Sequence, residues 1–223
     1  MSLETKPVIT WDSAKQIAAG TSEEPLVSAA DSKHWICKPV YFQNGFVGAL
    51  PQIWLRQSVL DRLKIASEVL PNGYRLVLLD GWRPKQLQQA LFDDMRQKIA
   101  TENPRLEGIQ LDEMTMNYCS KVSDDPVQPS PHLTGGAVDV TLANASGVEL
   151  DMGSAFDEPS QRSWTTYQLS GAPMHHRKVL HSAMIQSGFT NLPSEWWHYD
   201  YGNWVWAWYS EASVAEYGPI EHI

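Results

Sequence analysis

The sequence predicts an α+β protein with helices packed on a largely antiparallel sheet. Three observations predict it. Helical apolar stripes and short β-rich runs alternate along the chain, but without the regular strand–helix–strand rhythm of a parallel α/β fold. Hydrophobic residues make up 43% of 223 residues, enough for a sizeable core. The strand runs are bounded by Gly, Pro, Asn and Asp, which punctuate turns. A single domain over residues 1–223 is expected, with the polar, mixed residues 1–30 laid on it as an N-terminal arm.

Residues 35–42 read as extended. From Ser58 to Leu70, the apolar positions Val59, Leu60, Leu63, Ala66 and Leu70 form one face of a helix, which Pro71, Asn72 and Gly73 stop. Residues 74–79 form a short apolar run, read as a buried strand ending at Asp80-Gly81-Trp82-Arg83-Pro84. Pro84 suits the first turn of a second helix, whose stripe is Leu87, Ala90, Leu91, Met95 and Ile99. Residues 100–128 are polar and rich in turn formers, and read as a long connection.

Next come a glycine turn at 132–136, a strand at 137–142 and a turn at 144–147. Residues 174–187 have Val179, Leu180, Ala183 and Met184 on one helical side. The aromatic runs 197–199 and 204–209 read as strands.

Composition narrows the function classes. The net charge of -9 and the lack of any Lys/Arg run exclude a phosphate-backbone footprint, so no nucleic-acid partner is expected. No apolar stretch approaches the roughly 18–20 residues of a transmembrane helix. The N-terminus lacks a basic start followed by an apolar run, and a cytoplasmic location is expected, with a periplasmic one as the alternative. Cys37 and Cys119 lie in no CxxC motif and read as two reduced thiols, with a disulfide between them as the alternative.

Chemistry concentrates in two stretches. In strand 137–142, Val138, Val140 and Leu142 alternate with Ala137, Asp139 and Thr141. Asp139 therefore stands opposite the core-facing row, and His132 can fold back toward it across the glycine turn. The second stretch is Glu195-Trp196-Trp197-His198. With the strand beginning near Trp197 and Glu195 on the preceding turn, both Glu195 and His198 can face one cleft.

Two imidazoles and a carboxylate suit catalytic zinc, which keeps one position for water, and Glu195 could then act as general base. Blander readings stand beside this. His132 could be a hydrogen-bonding residue, Asp139 a turn acceptor and Glu195 a local cap. Trp196 and Trp197 read first as core, and His175, His176 and His181 as exposed helix positions. Arg83, at the end of a buried strand, either pairs with a carboxylate on the surface or faces the cleft to hold an oxyanion.

Four motifs occur in order: DGWRP (80–84), SPHLTGGAVD (130–139), DMGSAFDE (151–158) and EWWHY (195–199). Together they resemble the D-alanyl-D-alanine dipeptidases of the vancomycin-resistance type. These are zinc D,D-peptidases related in fold to the hedgehog N-terminal domain. The resemblance spans roughly residues 35–209. It implies one Zn2+ per chain on His132, Asp139 and His198, with Glu195 as general base and Arg83 stabilising the transition state. It also implies that Asp157 binds the free ammonium of the substrate and that Ser130 helps hold that amino end. The implied activity is hydrolysis of D-Ala-D-Ala or a similar free dipeptide. A D,D-carboxypeptidase acting on peptidoglycan stem peptides and a non-catalytic zinc-binding module are the competing readings. A homo-oligomer is left open.

Overall fold

The computed structural model describes residues 3, 6–9, 16–18, 20–30 and 32–222. Much of the expected N-terminal arm (residues 1, 2, 4, 5, 10–15 and 19) lies outside the described residues. Within the rest of that arm, Leu26–Ser28 is a strand (β1), and Ala18 bridges Val214. Strand β2 is Trp35–Cys37, helix α1 Val40–Gln43, strand β3 Trp54–Arg56 and helix α2 Gln57–Val69. Strand β4 is Tyr74–Asp80, helix α3 Lys85–Glu102, helix α4 Gly108–Met116 and strand β5 Ala137–Asn144. Helix α5 is Gly171–Gln186, strands β6 and β7 are Thr190–Asn191 and His198–Asp200, and helix α6 is Trp204–Tyr209.

The main sheet has the order β2-β4-β5-β7-β6; β2 runs parallel to β4, and the other pairings are antiparallel. The fold is thus α+β with a largely antiparallel sheet. β1 and β3 form a separate antiparallel pair.

Successive side chains point to opposite faces, and apolar residues on both sides bury the central strands on both faces. Leu76, Leu78, Val138, Val140 and Leu142 join Val59, Leu63, Leu180 and Met184 in the main core, beneath α2 and α5. Val77, Leu79 and Ala143 point the other way, onto Ile36, Val40 and Phe156. Asp139 shares that second side. Beyond it, α3 sets Leu87 and Leu91 against Tyr41, and Met95 and Ile99 against Leu111 of α4.

Three local expectations are corrected. Residues 35–42 are extended only through Cys37; Pro39 then leads into α1. The connection 100–128 holds the end of α3 and all of α4. Leu111 and Thr115 of α4 are buried one turn apart, whereas Ile109 and Met116 are exposed, so no clean stripe marks the helix in sequence. Residues 204–209 form a helix, not a strand. Asn203 caps it, its Oδ1 accepting from the Trp206 backbone N–H at 2.9 Å. Burial of Trp204, Val205, Ala207 and Tyr209 with Ile17 and Ala215 overrides the β preference of the aromatic residues.

Candidate active site

Sheet register builds the site. Asp139 on β5 lies directly opposite His198 on β7, and Asp80 at the end of β4 is paired with Asp139 across a register shift. Three neighbouring strands thus carry Asp80, Asp139 and His198 in one row. The turn Pro131–Thr134 closes on Gly135, whose φ of 70° is left-handed and favours glycine. It brings His132 back over the row.

His132, Asp139 and His198 are all buried, and each offers a ligand atom within 4.8 Å of the others. His132 Nε2 is 3.2 Å from His198 Nδ1 and 3.5 Å from Asp139 Oδ1; His198 Nδ1 is 3.2 Å from Asp139 Oδ1. Ligand atoms around a tetrahedral zinc sit about 3.3 Å apart, given bonds of about 2.0–2.1 Å.

The remaining ring nitrogens also fit a metal. His132 Nδ1 lies 2.8 Å from the Gly81 carbonyl, which can only accept, so Nδ1 carries the proton. His198 Nε2 lies 3.1 Å from both oxygens of the buried Asp200, which fixes its proton there. Asn203 in turn donates to Asp200 at 2.6 Å. The two inward nitrogens then point lone pairs at each other and at Asp139, an arrangement that a cation relieves. Short of a cation, a proton on those nitrogens relieves it, and imidazoles so protonated hold the Asp139 carboxyl well below the usual aspartate range despite its burial.

A cleft of about 580 Å³ opens onto this cluster. Every residue to which the resemblance gives a role lines it: Arg83, Ser130, His132, Asp139, Asp157, Glu195 and His198. Glu195 sits on the turn before β7, its backbone N–H bonded to the Leu192 carbonyl, and Oε2 is 3.9 Å from His198 Nδ1. Burial pushes its carboxyl up to about 7, with Asp139 and Asp157 adding to the rise and His198 opposing it.

Arg83 is buried rather than paired on the surface. Its Nε donates to Asp80 at 2.9 Å and its Nη1 to Gln88 at 2.9 Å. Nη2 also lies 2.9 Å from Asp80 and reaches further, to Tyr41 Oη at 3.4 Å and Asp139 Oδ2 at 3.5 Å. Tyr41 donates to Asp157 Oδ2 at 2.7 Å. Desolvation in the cleft pushes the Asp157 carboxyl upward toward about 7, against this donated bond. Asp157 is nevertheless solvent-exposed as a residue, and water access moderates the rise. Ser130 is partly buried and begins the His132 turn, its carbonyl accepting from Leu133 N–H at 2.9 Å.

Sequence reasoning missed Tyr41, Asp80, Gln88 and Asp200. Asp80 stands inside the DGWRP motif and Asp200 just after EWWHY, so motif adjacency was the available signal. Tyr41 and Gln88 carry none. Trp196 and Trp197 are core residues, and His175, His176 and His181 take no part in the cleft lining. Neither Cys37 nor Cys119 is in a disulfide. No helix among the described residues is long and apolar enough to cross a membrane.

Residues 51–213 match the family model described as D-ala-D-ala dipeptidase. A D-alanyl-D-alanine dipeptidase of Synechocystis sp. is 30% identical over 211 residues, covering 81% of this chain and 85% of that protein. One from Enterococcus faecium is 32% identical over 171 residues, 73% of this chain and 77% of the relative. One from Escherichia coli is 32% identical over 130 residues, 58% and 56% respectively. Fold, cleft and relatives together define a peptidase. The chain belongs to the D-Ala-D-Ala dipeptidase family.

Proposed function

We propose that this chain hydrolyses D-Ala-D-Ala, or a closely similar free D,D-dipeptide, using one zinc ion held by His132, Asp139 and His198. The observation that carries the reading is the convergence of those three ligand atoms on the wall of a cleft that also presents Glu195, Arg83 and Asp157. The names of the relatives support the substrate class.

Zinc bound there supplies Lewis acidity, enough to lower the pKa of water from about 15.7 to about 7. Glu195 takes the proton of the attacking water and later delivers it to the departing amine. Its Oε2, 3.9 Å from His198 Nδ1, stands close enough to the proposed metal position for both halves of that task. Arg83 holds the oxyanion of the tetrahedral intermediate through Nη2, the nitrogen with two long contacts to exchange. Asp80 and Gln88 keep its Nε and Nη1 in place meanwhile. Asp157 receives the substrate ammonium, assisted by Ser130. A free amino group is required because a carboxylate left unpaired against a blocked amine is costly.

Hydrolysis of D-Ala-D-Ala by the zinc-loaded chain, with and without chelator, tests this. Chelation is expected to abolish turnover and added zinc to restore it. Glu195→Gln should bind zinc as well as the parent and lose about 100- to 10,000-fold in kcat. Full activity in Glu195→Gln, or zinc-loaded protein that leaves all D,D-dipeptides intact, would remove the reading. Preference for a stem pentapeptide over the free dipeptide would transfer it to a carboxypeptidase.

A further inference from the structure

The segment carrying Asp157 has little structure of its own. Between β5 and α5, its described helical part is one short turn, Gln161–Ser163. Asp157 itself has a φ of 58°, a left-handed conformation that aspartate tolerates but does not favour. Surrounding groups must therefore hold this loop in shape.

One side chain does much of that. Arg177 projects from α5 and is among the largest fully buried residues. Its Nε donates to the Met152 carbonyl at 2.6 Å, where the loop begins. Its Nη1 donates to the Trp164 carbonyl at 2.7 Å and its Nη2 to the Arg162 carbonyl at 2.6 Å, where the loop ends. Nη2 also reaches Ser154 Oγ at 3.2 Å. A planar fork of donors thus ties entry and exit of the loop together, with Asp157 at the span between.

The same node touches the core residue that follows Glu195. Ser154 Oγ accepts from Trp196 Nε1 at 2.9 Å, and the Trp196 backbone N–H donates to the Ser163 carbonyl at 2.9 Å. The Arg177 guanidinium lies 5.6 Å from the centre of the Trp196 ring. Trp196 directly follows Glu195.

We propose that Arg177 is a positioning residue for recognition of the substrate's amino terminus: by clamping both ends of the 152–164 loop it sets where the Asp157 carboxylate stands in the cleft. This rests on the reading of Asp157 as the ammonium site. Arg177 touches no substrate. It acts through the loop, and selectivity for a free amine depends on it.

The test compares kcat/KM for D-Ala-D-Ala and N-acetyl-D-Ala-D-Ala in the zinc-loaded full chain. Arg177→Lys keeps the charge and loses the fork. Its ratio of free to acetylated substrate should fall about tenfold, with zinc content unchanged. Ser154→Ala removes only one joint and should lower the ratio about threefold, which decides the matter should Arg177→Lys fail to fold. Asp157→Asn should collapse the ratio, and adding Arg177→Lys to it should lower the ratio no further, because the two act through one interaction. A wild-type ratio in Asp157→Asn would remove the ammonium-site reading and this inference with it. A collapsed ratio in Asp157→Asn beside wild-type ratios in Arg177→Lys and Ser154→Ala, or independent losses in the double variant, would overturn the inference alone.

Discussion

At the scale of the residue, the chemistry depends on which atom of each side chain is left available. The Gly81 carbonyl occupies Nδ1 of His132, and Asp200 occupies Nε2 of His198, so each imidazole presents its other nitrogen inward. Asp139 divides its oxygens, Oδ1 to the histidines and Oδ2 to Arg83. Asp157 gives one oxygen to the Tyr41 hydroxyl. Its raised pKa has a directional consequence. A carboxyl that protonates as pH falls loses its charge for an ammonium, so KM for the free dipeptide should rise on acidification. The midpoint should fall between the ordinary aspartate range and about 7. In Asp157→Asn this pH dependence of KM should vanish; its persistence there would assign the titration to another group. The residues that sequence placed in the cleft all came from its motifs. Tyr41 and Gln88 escaped because their roles arise from α1 and α3 folding back beside β4, which no local pattern encodes.

At the scale of the element, β5 sets the register of the site. It is buried on both faces, hydrogen-bonded on both edges, and carries Asp139 level with His198. Gly136, just before it, is packed without room for a side chain. A Cβ there would lie 2.5 Å from the Tyr201 carbonyl oxygen and 2.9 Å from the Tyr217 ring. The same glycine accepts from Tyr201 N–H at 2.8 Å. Gly136→Ala should therefore cost about 1–3 kcal/mol of stability, read as a Tm several degrees lower, with weaker zinc binding because the β5–β7 register holds two of the proposed ligands, Asp139 and His198. An unchanged Tm would show that the neighbouring strand yields freely. The alternation of β5 was legible in sequence because every second residue is Val or Leu. Helix α6 was not. Its six residues are mostly aromatic, and an Asn203 cap plus burial against Ile17 and Ala215 outweighed their preference for strand.

At the scale of the whole molecule, the C-terminal segment reaches back to the turns that carry site residues. The Ile220 N–H donates to the Leu133 carbonyl at 2.9 Å, and the Ile220 carbonyl accepts from Trp82 Nε1 at 3.0 Å. Glu221 pairs with Lys85 at 3.0 Å. The tail thus braces the turn that carries His132 and the loop that carries Arg83. A chain ending at Pro219 should bind zinc about tenfold more weakly, the usual scale for losing outer support of a metal site, as measured by competition with a chromophoric chelator. Unaltered zinc affinity would show that β5 and the glycine turn suffice alone.

The sequence by itself determined the α+β class, the apolar run that becomes β4, the alternation of β5, and the motif residues that line the cleft. These are properties of short stretches, where side-chain period and turn chemistry act within a few residues of each other. Only the tertiary structure decided that Asp80, Asp139 and His198 stand in one row, that Arg177 holds the Asp157 loop, and that the C-terminal tail braces His132. Those arrangements depend on strand register and on contacts between residues far apart in the chain, and the free energy that fixes them appears only once the core has closed around them.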